Sequence, residues 1–155
     1  MKEIKSQKYV LFILRSAFYF MTIFTLFWTV GILVNLGTIK STGEMVCLVL
    51  CVLQAGDYTF LAYNLAEIVE CNIYTIFSIK NSNNFKKLGY GMIFLSMIEE
   101  ISNFFNESGF DIVALKETSL KTTSVIFFII GLTNIYLSHV FKEGKRIKEE
   151  NDLTI

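Results

Sequence analysis

Four long apolar runs separated by short polar breaks dominate the chain, at about 9–39, 45–69, 88–105 and 120–141. Each reaches or nearly reaches the roughly 20 residues a helix needs to cross about 30 Å of hydrocarbon. The pattern predicts an all-α integral membrane bundle of four transmembrane helices, followed by a polar tail at 142–155. With 155 residues the chain has room for one domain. The first run is too long for a signal-peptide core and lacks a clean small-residue cleavage site, so it reads as a retained helix. Proline is absent, so no helix carries a proline kink.

Composition sharpens this picture. Apolar residues make up 53% of the chain and charged residues 18%, below the roughly 25% of a soluble domain. The charges collect at the ends and in the breaks. Formal net charge is zero and no basic stripe covers a face, which argues against direct nucleic-acid binding. The abundance of Lys, Ile and Asn is that of a low-GC bacterium and points to the bacterial cytoplasmic membrane.

The positive charges set the orientation. Lys2, Lys5 and Lys8 precede the first run, Lys80, Lys86 and Lys87 fill the middle break, and Lys142, Lys145, Arg146 and Lys148 follow the last run. The other two breaks carry Lys40, Lys116 and Lys121. Both termini and the middle loop are therefore expected on the cytoplasmic side. The first outer loop, Gly37–Gly43, reads as a tight break with two glycines, and the second, Asn106–Thr118, as a longer loop. In the latter, Phe110, Ile112, Val113 and Leu115 are expected to rest on the headgroups. Cys71–Ser78 either prolongs the second helix or lies along the interface.

Polar side chains inside spans are costly, so their spacing is informative. Thr22, Thr25 and Thr29 share a face of the first helix, and Gln54, Asp57 and Asn64 one of the second. Ser96, Glu99 or Glu100, and Asn103 mark the third, and Gly131, Asn134 and Ser138 the fourth. The economical arrangement turns all four stripes inward. Helical rise puts Asp57 about 20 Å and Glu99 about 18 Å from the inner boundary, a similar depth, and no Lys or Arg is expected at that level. A shared proton, a bound cation or a cationic ligand would answer the charge; interhelical hydrogen bonds of protonated acids and amides are the structural alternative. Asp57, Glu99, Glu100 and Asn134 are thus the candidate ligand or proton site. Arg15 is expected to snorkel or to pair with Glu67 or Glu70, and His139 reads as an interfacial residue.

Other chemistry finds little support. Cys47 and Cys51 lie four apart, but the lone His139 is on another helix, so no metal site is expected and the thiols, with Cys71, are expected to be buried and inert. The adjacent Glu99-Glu100 resembles the paired glutamates of intramembrane CAAX-protease-like enzymes. Phe104 stands at the position of their arginine, however, and their further histidines are missing. Neither a phosphate loop nor a serine elbow is present, so no enzyme activity and no cofactor are expected.

The tail reads Lys142-Glu-Gly-Lys-Arg-Ile-Lys-Glu-Glu-Asn-Asp-Leu-Thr-Ile155. Its basic block is explained by topology; Glu149, Glu150, Asn151, Asp152 and Leu153 are not, and form a candidate partner-binding segment. Gly144 and Lys148–Ile155, with a weaker match at Phe77-Ser78, Asn84 and Lys86–Tyr90, resemble the YoaS-like small bacterial membrane proteins grouped as domain of unknown function 2975. The chain departs from them at Ile76, where a proline is often seen. The resemblance implies a four-helix membrane protein, no catalytic assignment, and a helix-turn-helix regulator as a cytoplasmic partner. Two functions are expected from these features. One is an accessory or sensory component whose tail engages such a partner. The other is a small proton- or cation-coupled transporter, exporter or immunity protein using the intramembrane acids, for which a homodimer would line the pathway.

Overall fold

The computed structural model describes residues 2–34, 37, 41–71, 77–105, 111–115 and 118–153. Helix α1 spans Lys2–Val34, α2 Thr42–Glu70, α3 Ile79–Phe105 and α4 Thr122–Asp152. Between α3 and α4 lies an antiparallel hairpin of β1 (Asp111–Leu115) and β2 (Thr118–Lys121), with a register irregularity between Asp111 and Val113. The fold is helical as expected, with this hairpin in place of the expected plain outer loop. The headgroup placement expected for Phe110, Ile112, Val113 and Leu115 lies outside the described side chains.

Helices α1, α2 and α4 are long and apolar enough to cross a membrane. Helix α3, at 27 residues, is the shortest of the four, and Glu99, Glu100 and Asn103 interrupt its apolar run. The element boundaries shift for identifiable reasons. Ser41 caps α2 by accepting from the Glu44 N–H at 3.3 Å, so Gly43 belongs to the helix and not to the outer break. Helix α2 stops at Glu70 with Cys71 extended, so the helix does not run into the segment after it. Residues 72–76 lie outside the described residues. Gln7 Nε2 donates to the Val69 carbonyl at 2.6 Å, meeting one of the carbonyls a helix end leaves open. Ser78 starts α3 by accepting from the Asn81 N–H at 3.2 Å. The middle basic stretch, expected as a loop, is therefore the first turns of α3, with Lys80, Lys86 and Lys87 exposed.

The helices pack neighbour on neighbour in chain order, α1 on α2, α2 on α3, α3 on α4. Among the described residues the main helix contacts therefore follow chain order, as a row. Thr25 Oγ lies 3.4 Å from Thr59 Oγ on α2, so the threonine stripe of α1 meets α2. Thr22, Thr25 and Thr29 also return their hydroxyls to their own helix at 2.7–2.8 Å. The outer face of α1 is a stacked ladder of Phe20, Phe24 and Trp28, with centroids 6.5 and 6.0 Å apart. An apolar face of this kind is costly in water and natural against lipid.

Helices α3 and α4 make the closest contact. Ser82, Gly89 and Ser96 recur every seven residues on α3, and Ser124, Gly131 and Ser138 do so on α4. Run antiparallel, they meet pairwise. Ser82 Oγ donates to the Ser138 carbonyl at 2.7 Å, and Ser96 Oγ and Ser124 Oγ lie 3.1 Å apart. Midway, a Cβ on Gly89 would lie 2.7 Å from the Gly131 carbonyl oxygen, so the backbones touch. Seven residues are about two turns, which keeps one small residue at each level. Small residues drive helix association in lipid through such approach.

Candidate functional site

Of the four candidate intramembrane residues, Glu99 and Glu100 sit together at the hairpin end of the row. Gln54 Nε2 donates to Glu99 Oε1 at 2.8 Å and lies 3.3 Å from the Tyr58 hydroxyl. Lys121 Nζ lies 4.0 Å from Glu99 Oε2, and the Lys121 backbone N–H donates to Glu100 Oε1 at 3.2 Å. This corrects the expectation that no cation shares the level of Glu99. Lys121 was read as an outer-loop residue, but the hairpin folds it back onto α3, where it is buried. Glu100 thereby faces the N-terminus of α4, whose dipole favours an anion. Replacing Glu100 with glutamine should weaken the first turn of α4 by about 1 kcal/mol. Hydrogen exchange at residues 122–125 reads this; unchanged protection would remove Glu100 from that role.

Asp57 belongs elsewhere. It lies near the middle of α2, where a Cβ on Gly91 would be 3.3 Å from its Oδ1 and 2.7 Å from Leu61 Cδ2. Glu99 is eight residues beyond Gly91, about 12 Å along α3. Gln54, one turn from Asp57 on α2, is the residue that reaches Glu99, and among the described residues no hydrogen bond joins the two acids. Asn134 also stands apart. Its Nδ2 donates to the Ile130 carbonyl on its own helix at 2.9 Å, and the α3–α4 register puts it about 20 Å from the level of Glu99.

Closer to Asp57 is a group of which the sequence reading singled out Asn64, on the polar face of the second helix, but not Asn81 or Ser82. Asn64 is fully buried, and Asn81, Ser82 and Asn84 are nearly so. The Asp57–Gly91 register brings Asn64 of α2 level with Asn84 of α3. Asn64 Nδ2 donates to the Phe60 carbonyl at 2.7 Å. Its Oδ1, Asn84 Nδ2 and Asp57 Oδ2 are buried with no hydrogen-bond partner. Asn84 was legible only as part of a basic stretch; its spacing of seven from Gly91 was the available signal.

The opposite end of the row collects the basic residues. Arg15 Nη2 pairs with Glu70 Oε1 at 2.8 Å, one of the two partners expected for it. The other, Glu67, takes Lys80 Nζ at 2.6 Å. That hydrogen bond holds the Lys80 amine above its ordinary range. Here too Phe77 and Gly144 meet. A Cβ on Gly144 would lie 2.5 Å from Phe77 Cδ1, so the Phe77 ring rests on the glycine. Phe141 stacks on Phe85 with centroids 4.7 Å apart and lies 5.6 Å from Phe77. His139, exposed, lines a groove with Phe77, Lys142 and Ile147.

The candidate tail is not a separate segment but the end of α4, which runs unbroken to Asp152. Lys145 pairs with Glu149 at 3.1 Å and Arg146 with Glu150 at 3.7 Å; Arg146 also pairs with Glu143. Asn151 and Asp152 close the last turn, and Leu153 is 86% exposed. Thr154 and Ile155 lie outside the described residues. Set against protein-family models, curated proteins and solved structures, the chain matches none of them.

Proposed function

We propose that this chain is a four-span protein of the bacterial cytoplasmic membrane that presents a helical recognition element to a cytoplasmic regulator. The observation that carries this reading is the continuity of α4, 31 residues from the hairpin to the tail. The α3–α4 register leaves residues 142–152 projecting about 16 Å past the start of α3. A change of packing among the spans therefore reaches the tail through one rigid element. The exposed i,i+4 ion pairs support this projection by a few tenths of a kcal/mol each. Gathering of the Lys-rich segments at one end of the row supports a cytoplasmic location for that end and both termini. Helix α3 serves as the fourth span because its acids are met by Gln54 and Lys121 near the opposite surface.

The resemblance to YoaS-like proteins makes a helix-turn-helix regulator the partner to look for. Asp57 stands apart from Glu99 and Glu100, which weighs against one binding site made of all three acids. Affinity purification from native membranes with the full chain and with a chain ending at Glu150 tests the proposal. A cytosolic protein recovered only with the full tail is the expected result, with membrane insertion unchanged. An identical partner list for the two chains would overturn it.

A further inference from the structure

Among the described residues, Asp57 Oδ2, Asn64 Oδ1 and Asn84 Nδ2 of the α2–α3 seam are buried polar atoms without a hydrogen-bond partner. Buried polar groups are nearly always hydrogen-bonded, and orphans in a polar pocket are where internal waters sit. Here an orphan acceptor, Asn64 Oδ1, and an orphan donor, Asn84 Nδ2, come from facing helices at one level, so a single water can serve both. Asn64 is 0% exposed, so lipid and bulk solvent do not reach it directly. Asp57 lies seven residues farther along α2, about 10 Å. That gap is closed by Leu61 and Leu88, 5% and 2% exposed. Beyond Asp57, Gln54, Glu99 and Lys121 continue the polar line to the hairpin end. From Asn84 to Glu99 the line covers about 22 Å of helix, most of a bilayer core.

We propose that this seam is a hydrated proton path, in which Asp57 carries the exchangeable proton and Asn64 and Asn84 hold the water that connects it to the Lys-rich end. When Leu61 and Leu88 part and water fills the gap, a hydronium arriving from the Lys-rich end gives its proton to the Asp57 carboxylate and is left as water, and the Asp57 O–H then breaks as water on the Glu99 side takes the proton. Leu61 and Leu88 form the apolar constriction that separates the two polar stretches, a barrier that water crosses only when they move. The charged groups around Asp57 are few. Helix α1 has none between Ser16 and Val34, and Arg15 is engaged by Glu70. Helix α3 brings Glu99, tied to Gln54 and close to Lys121, while Tyr58 of α2 turns its hydroxyl to Gln54. The path is independent of what the tail binds.

The full chain in liposomes, loaded with a pH-sensitive dye and driven by a valinomycin-clamped potassium gradient, tests the path. The wild type should carry protons faster than empty liposomes. Asp57→Asn should lower that flux at least tenfold, Asp57→Glu should retain it, and Leu61→Ala should raise it severalfold by widening the constriction. Thr133→Leu, on the far helix, should leave it unchanged. Should Asp57→Asn fail to insert, dicyclohexylcarbodiimide applied to the wild type supplies the same test. Label on Asp57 with loss of flux supports the path, and flux that survives the labelling overturns it. Wild-type flux equal to that of empty liposomes, or undiminished in a well-inserted Asp57→Asn, also overturns it.

Discussion

Replacing Gly131 with leucine is expected to separate α4 from α3 and to cost about 2–4 kcal/mol of stability. A Cβ at Gly131 would already sit 2.7 Å from Ile93 Cγ1 and 2.9 Å from the Gly89 carbonyl oxygen. The second contact is backbone, which cannot rotate away, so the helices must move apart as a whole. The serine pairs on either side, Ser82 with Ser138 and Ser96 with Ser124, are then lost together. Taken alone each pair matters much less. Interhelical hydrogen bonds in membranes average about 0.6 kcal/mol, so Ser124→Ala should be mild. Thermal unfolding in detergent distinguishes the two. A Gly131→Leu protein that melts with the wild type would show that the backbones are not in contact. A cysteine pair at positions 82 and 138 gives a second readout, forming a disulfide in the wild-type background and not in Gly131→Leu.

Replacing Gly144 with leucine should disconnect the projecting end of α4 without altering any residue of the candidate recognition segment. The Phe77 ring occupies the space a side chain at 144 would take, with Cδ1 at 2.5 Å and Cε1 at 2.8 Å from the Cβ position. Displacing it breaks the aromatic contact with Phe141. This overpacking should cost about 1–3 kcal/mol locally. Tryptic cleavage after Lys142 and Lys145 should accelerate about tenfold as the helix end opens more often. If the tail works as a rigid extension of the spans, recovery of the cytoplasmic partner should fall as well. Unchanged cleavage would show that Phe77 does not hold the helix. Accelerated cleavage with full partner recovery would show that the tail acts as a sequence and not as a rigid helix.

Much of the fold was legible because lipid is a strict solvent. Long apolar runs in it become helices, and the lysines mark one side. The runs beginning near Tyr9, Met45 and Leu120 correspond to helices long and apolar enough to cross a membrane. Arg15 found one of its two foreseen partners because snorkelling distance limits the choice. Legibility failed where a residue's environment comes from another helix. Asp57 and Glu99 were placed at one depth by counting from separate boundaries, and a few residues of error in each start were enough to pair them wrongly. Asn134 was grouped with them by its face, although the antiparallel register carries it away from the acids.

The sequence alone determined the helical class, the apolar runs and the side on which the basic residues gather, since each follows from local hydropathy or charge. It also held the small-residue heptads of Ser82, Gly89 and Ser96 and of Ser124, Gly131 and Ser138, although a heptad on one helix does not say which partner fills it. Tertiary structure alone decided that α3 takes α4 through those heptads, and that the main helix contacts among the described residues follow chain order. It alone seated Lys121 beside Glu99 and set Asn64 level with Asn84 in the seam that leads to Asp57. The reason is physical: propensity and hydropathy act on one segment at a time, whereas register between segments is fixed by which side chains fit, and backbone contact at Gly89 and Gly131 permits only one alignment.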